Sequence, residues 1–379
     1  MGNHMSVPEG ELELRWKRLR ERAAADGFDG LLVFSNQINQ TYIHYAANYT
    51  LLGDRSYFFL PMTGEPTLLI GAAWDLQHAV SESGLSDVRP LMHGCNKEII
   101  SVVKAGTKGK TAVAGMEMLN EKDLAEFKTE FGENFVQGTD LLEEVALVKT
   151  DFELGLIRKA AEMADAAFLK VVETAKEGML DYHIMAEIDY TMKKMGATDN
   201  FQMSSIGRDS TGMLLPYGKK LEKGDIFLFE MTPAYRSVTY SAQLCRTAVY
   251  GELPPLFYEK YDILVRALEE SLKIIKPGAR IADVAKIQND IIGKAGYAEY
   301  CRPPYMRSRG HGFGLGRVEV DDECPLTFQK NMSLVIHPNQ FIPETGYLAL
   351  GDHIIVTETG FERLLKTKPM IYTCGGGNQ

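Results

Sequence analysis

Four side chains stand where their type asks for a chemical reason. His311 is flanked by glycines in GHGFG, and His337 ends the apolar run SLVI and is followed at once by Pro338. An imidazole has an ordinary pKa near ~6.5, so either ring could take and return a proton around neutrality. Glu230 stands inside FLFEMT, where an ionised carboxylate costs free energy unless it is paired or used. In a pocket it would orient a water or stabilise an amidinium-like cation. Tyr217, in LLPYGK, has a phenol to donate or to hold a substrate. Arg55 in LLGDRSYFF and Arg317 in GLGRV each offer a planar fork to a carboxylate. A single zinc or iron on His311, His337 and Glu230 would be a second chemistry for the same residues. Each has a bland counterpart: a turn histidine, a hydrogen-bonded core histidine, a packed tyrosine, a surface ion pair. Cys245 in QLCRT reads as a small buried thiol. Arg307 and Arg309 in RPPYMRSRGHG (302–312) read as solvated charge on an ordered loop at the site entrance, with a second anion contact as the alternative. His44, His78, His93 and His183 read as structural.

The elements that must position these residues fall into two groups. Residues 11–27 have a helical apolar pattern closing at Gly27, and the runs at 30–35, 57–61, 67–72 and 111–117 read as strands, which together indicate an α/β domain. At Thr150 the character changes. Thr150 followed by Glu153 forms a capping-box pattern before a long amphipathic helix over 149–178. A second helix fits 181–196, and two more fit 255–275 and 282–296. Strands are expected at 225–231, 239–251, 332–338 and 352–360. Two helices, a hairpin, two helices and further strands indicate α+β, an antiparallel sheet backed by helices. The expected domains are 5–148 and 149–379. The opening MGNHM reads as an expression leader with Met5 the native start, which removes His4 from any site, and the closing GGGNQ reads as a frayed tail.

The bulk composition narrows the partners. At 379 residues with 45% hydrophobic and 24% charged residues, the chain can fill two cores. The net charge of −10 and the lack of a basic block argue against a nucleic-acid surface. Five cysteines, an odd number with no CxxC pair, fit reduced thiols in the cytoplasm better than a disulfide framework. No apolar run approaches the ~18 residues of a membrane span.

Five segments, in order, resemble the creatinase/aminopeptidase P/methionine aminopeptidase superfamily: LVKTDFELGLIRKAAEMADAAF, LEKGDIFLFE, QLCRTAVYGE, GHGFGL and VTETGFERL. The resemblance implies a C-terminal pita-bread catalytic domain behind an N-terminal ribonuclease H-like domain. It also implies a homodimer in which one subunit's N-domain closes the other's site. Metallo-members resemble one another in five ligands, two Asp, one His and two Glu. Carried over one by one, these fall at Glu230, Gln243, His311, His337 and Gly351, with two extra residues in the hairpin between the first two. Asp352 is adjacent to the last, but alternation along a strand turns it to the other face. One carboxylate and two imidazoles do not neutralise a bridged pair of divalent cations. The peptidases' two assisting histidines fall at Tyr217 and Val318. Metal-free members of the superfamily, creatinase and ectoine hydrolase, cleave C–N bonds of small amidine or guanidino acids. FEMTPAYR looks like the ectoine-hydrolase stretch, and Arg55 stands near creatinase's carboxylate-gripping arginine, although creatinase's own catalytic His and Glu fall at Tyr217 and His337.

The expected activity is therefore a metal-independent hydrolase, less readily a lyase. It would act on a C–N bond of a small carboxylate-bearing amidine, guanidino or amide substrate, without a cofactor. His311, His337, Glu230 and Tyr217 would be catalytic, and Arg55, Gln243 and Arg317 substrate-binding. The alternatives are a Xaa-Pro aminopeptidase or dipeptidase with an atypical metal site, and a non-catalytic binding protein.

Overall fold

The computed structural model describes residues 7–91, 96–208 and 210–375. The expected leader with His4 and Met5, residues 376–379 of the expected tail, and also His93 and Cys95, lie outside the described residues. The chain divides into two compact units, Met1–Leu147 and Val148–Gln379.

The first unit is built on β1 (Gly30–Asn36), β2 (Arg55–Pro61), β3 (Thr67–Ile70), β4 (Val88–Pro90), β5 (Thr111–Ala114) and β6 (Phe135–Gln137), in the order β4-β3-β2-β1-β5-β6. β1, β2 and β3 pair antiparallel, and β5 runs parallel to β1. Leu32, Phe34, Tyr57, Leu69 and Val113 pack one face against Ile99, Val103 and Phe127 of the helices Lys97–Gly106 and Glu121–Phe131. The helix Glu11–Ala25 covers other strand side chains, with Trp16 6.1 Å from Phe58. Burial on both faces is why these strands read as unbroken apolar runs. The strand expected at 111–117 stops at Ala114, because Gly115 turns the chain at φ 83° where a Cβ would meet the Phe34 carbonyl at 2.4 Å.

The second unit opens with the capping box of Thr150 and Glu153, which starts the helix Asp151–Thr174. That helix and Asp181–Lys194 back a sheet of β7 (Ala197–Ile206), β8 (Ile226–Tyr235), β9 (Leu244–Tyr250) and β16 (Tyr372–Cys374), ordered β16-β9-β8-β7. Phe168 meets Phe229 and Tyr372 edge-on, at 5.4 and 5.0 Å. A second sheet is ordered β10-β11-β14-β15, from β10 (Gly310–His311), β11 (Ser333–Ile336), β14 (Asp352–Val356) and β15 (Phe361–Arg363). β12 (Gln340–Ile342) and β13 (Gly346–Leu348) form a small hairpin, and the helices Pro255–Leu272 and Ile281–Ile292 pack on one another. A bridge between Cys245 and Gly351 ties the two large sheets together.

Three expectations are corrected here. The hairpin has a third strand, β7, whose sequence ATDNFQMSSI is too polar to announce itself. The strand expected from 239 begins at Leu244, because residues 236–240 form the turn, with Arg236 at φ 71°. The helix expected to reach 296 loses regular form after Ile292 and turns at Gly296, φ 102°.

Candidate functional site

Strand periodicity sorts β8 into two faces. Phe227, Phe229 and Met231 enter the core under the helices, which leaves Glu230 and Thr232 on the opposite face. In β9, Leu244 and Ala248 enter the same core, which leaves Gln243 and Cys245 beside Glu230 and Thr232. Glu230 lies directly across from Cys245 in the ladder. The extra hairpin residues are absorbed in the turn, so they do not separate Glu230 from Gln243. Gln243 Nε2 donates to Glu230 Oε1 at 3.2 Å and to Thr232 Oγ1 at 3.1 Å. The single S–H of Cys245 is shared between Glu230 Oε2 at 3.8 Å and Gln243 Oε1 at 3.5 Å.

Glu230, Thr232 and Gln243 floor a cleft of about 470 Å³. The GHGFG segment supplies its other wall. Gly310 lets β10 approach β11, since a Cβ there would meet the Val335 carbonyl at 2.2 Å. Gly314, at φ 60°, lets the segment fold onto the hairpin turn, where a Cβ would meet Thr239 at 2.5 Å. His311 and Phe313 thereby face the cleft, with Arg317 at its mouth and Asp199 and Phe201 of β7 on the far side.

The protonation states follow from the partners. Burial lifts the Glu230 carboxyl to about 6, although its bonds from Cys245 and Gln243 pull the other way. Burial also holds His311 below the ordinary imidazole value; its bond to the Gly312 carbonyl opposes this and Arg317 adds to it. His311 Nδ1 is 3.1 Å from that carbonyl, which can only accept, so Nδ1 carries the proton and Nε2 keeps its lone pair. His337 lies behind His311, ring centres 5.3 Å apart. It is buried, its Nδ1 has no hydrogen-bond partner among the described residues, and burial, then His311, lowers it to about 3. Burial therefore favours the neutral ring at His337. Burial pushes the Cys245 thiol well up, so it is not a thiolate nucleophile.

Glu230, Gln243, His311 and Arg317 share the cleft, and His337 touches it through His311. Tyr217 does not join them. It is 62% exposed and lines a separate cleft with Arg208 and Lys219. Its loop is held by Asp181, whose carboxylate accepts from the backbone N–H groups of Tyr217, Gly218 and Lys219. Arg55 belongs to the first unit and is ion-paired with Asp123 at 2.6 Å. Arg309 corrects the reading of a solvated loop charge: it is buried and bonded to Asn289, Gln340 and the Asn339 carbonyl. Phe201 and Phe313 were not anticipated as site residues. The sequence left open which of Glu230, Thr232 and Gln243 faces the cleft, and all three do; Thr232 sits at i+2 from Glu230 on the same strand face.

The site also tests whether the superfamily's two cations fit. Of the five ligand positions, only Glu230 is anionic. At the fifth the space itself has closed: a Cβ on Gly351 would lie 2.6 Å from His337 Cβ and 3.2 Å from both Cβ and Sγ of Cys245. Among the described residues no group of three or more His, Cys, Asp or Glu side chains is arranged to hold a metal ion. This donor set does not fit a bridged metal pair.

Residues 155–358 match the sequence profile of metallopeptidase family M24, and residues 15–148 match the creatinase/prolidase N-terminal domain. A Xaa-Pro dipeptidase of Pyrococcus horikoshii is 27% identical over 363 residues, covering 93% of this chain and 97% of that protein. A Xaa-Pro dipeptidase of Pyrococcus furiosus is 29% identical over 285 residues, covering 72% and 77%. Among solved structures, the Bacillus anthracis Xaa-Pro dipeptidase superposes with a TM-score of 0.84 at 24% identity, covering 96% of this chain and 99% of that one. The P. horikoshii prolidase gives 0.81 at 24%, covering 94% and 99%. The fold is thus the α+β pita-bread architecture behind a creatinase-type N-terminal domain.

Proposed function

The chain belongs to metallopeptidase family M24, and from that premise we propose that its cleft hydrolyses a C–N bond of a small carboxylate-bearing amide, amidine or guanidino substrate, with protons moved by its own side chains. The observation that carries this reading is the pairing in one cleft of a His311 ring whose Nε2 lone pair is available with a Glu230 carboxyl held by neutral donors. His311 takes the proton of the attacking water at Nε2 and returns it to the departing nitrogen, so no proton is gained or lost over the cycle. Ionised Glu230 faces the C–N group and stabilises the positive charge that gathers on an amidine-type carbon or a protonating nitrogen. Gln243 holds that carboxylate in place, and the neutral His337 ring limits where His311 can sit. Arg317 receives the substrate carboxylate at the mouth. The protein would work as a cytoplasmic homodimer, which sedimentation analysis would check.

A second reading is favoured by the relatives themselves: the Pyrococcus proteins matched over most of this chain are named Xaa-Pro dipeptidases, which makes a metal-dependent dipeptidase with an atypical centre the competitor. One experiment separates the two. The purified protein is analysed for bound divalent metals, then assayed on Xaa-Pro dipeptides and on small amidine and guanidino acids, with and without chelator. Turnover that survives chelation supports proton chemistry. Stoichiometric metal, with turnover that chelation abolishes, selects the dipeptidase reading.

A further inference from the structure

His353 has no role in the scheme above, yet it touches both halves of it. It lies on β14 and is fully buried. Its Nδ1 accepts the backbone N–H of Gln243 at 3.0 Å. An accepting Nδ1 carries no proton, so Nε2–H donates to Ser333 Oγ at 2.8 Å. With both nitrogens bonded, the ring cannot rotate. One face stacks on Phe313, centres 5.7 Å apart and 25° between planes, and Phe313 and His311 meet in a T-shaped pair with centres 4.7 Å apart.

The consequence is geometric. Glu230 lies in β8 and Gln243 immediately precedes β9 of one sheet, and His311 lies in β10 of the other. His353 is bonded to the backbone of the residue that clamps Glu230 and, through Phe313, backs the ring of His311. We propose that His353 is a positioning residue that holds the Glu230 and His311 sides of the cleft in mutual register, with Ser333 locking its ring. The proposal rests on the reading of Glu230 and His311 as the working pair.

The test uses the full chain labelled with 15N at histidine. In the wild type, long-range 1H–15N spectra should show His311 as the Nδ1–H tautomer and His353 as Nε2–H. His353→Asn keeps an acceptor for the Gln243 N–H but loses the ring stack and the Ser333 lock. It should shift His311 toward averaged tautomers, lower kcat about 10- to 100-fold and leave KM within about twofold, as small misplacements of reacting groups do. Ser333→Ala should change the same signals less. If His353→Asn does not fold, Ser333→Ala decides alone. Unchanged His311 signals in the folded variants overturn the proposal, because a merely structural role would lower stability without moving them. If the wild type turns over no C–N substrate, the functional reading fails while the tautomer spectra still decide the role of His353.

Discussion

Two carboxylates in the second unit are taken out of water in opposite ways. Asp352 lies between two guanidinium groups: Arg246 Nη2 reaches Oδ1 at 2.6 Å, and Arg363 Nε lies 2.8 Å from Oδ2, close enough for an ion pair but off the line of a hydrogen bond. Arg246 is itself tied to the carbonyls of Gly351 and Thr367 at 2.6 and 2.7 Å. Among the described residues Glu230 is bonded by an amide and a thiol and opens on a cleft. Paired charge on the far side of β14 braces the join between sheets. Unpaired charge on the cleft side of β8 keeps its proton to an unusually high pH and can act on a substrate.

That contrast can be broken from either side. Arg246→Met leaves Asp352 buried without its main partner and should cost about 3–5 kcal/mol, read as a lower urea midpoint with an unchanged slope. On the cleft side the damage should be to activity instead. His311→Ala should lower kcat/KM about 10²- to 10⁴-fold, the usual worth of a general base, while circular dichroism stays unchanged.

Glu230→Gln should sharpen the contrast, because it removes a charge that nothing pairs. The folded value of about 6 lies above the unfolded 4.5, so between those values the folded protein binds more protons than the unfolded. Stability from this group is therefore present below 4.5 and lost as pH rises through 6, about 2 kcal/mol in total. Glu230→Gln should abolish that loss and unfold at higher urea than the wild type at pH 8, while losing activity. His337 and His353, whose values burial lowers to about 3, act in the opposite sense: their contribution is present above the ordinary imidazole value and lost as pH falls. Only the difference between variant and wild type isolates Glu230. The smallest effect belongs to Arg317→Ala. This side chain is exposed and already shared with Glu319 at 2.9 Å, so KM should rise about 2- to 5-fold with kcat unchanged, as for rim charges worth under ~1 kcal/mol.

Much of the fold is legible one residue at a time. The Thr150 capping box starts its helix where the pattern says, and the apolar runs around Phe59 and Phe229 are strands. β7 stays hidden because polar residues such as Asp199, which lines the cleft, interrupt any apolar run that would mark a strand. Tyr217 read as a site residue because of its segment, but the Asp181 carboxylate holds its loop at a different cleft.

What the sequence by itself determined is chemical identity: amide, imidazole and glycine stand at Gln243, His337 and Gly351, places where the superfamily has carboxylates, and no folding can restore the missing negative charge. What only the tertiary structure decided is which neutral groups took over the vacated space. The Gln243–Glu230–Thr232 clamp crosses the hairpin, and the closure of position 351 against Cys245 and the stacking of His353 on Phe313 join residues far apart in sequence. Their partners are set by the register of two sheets and by side-chain packing across them, which local pattern along the chain does not encode.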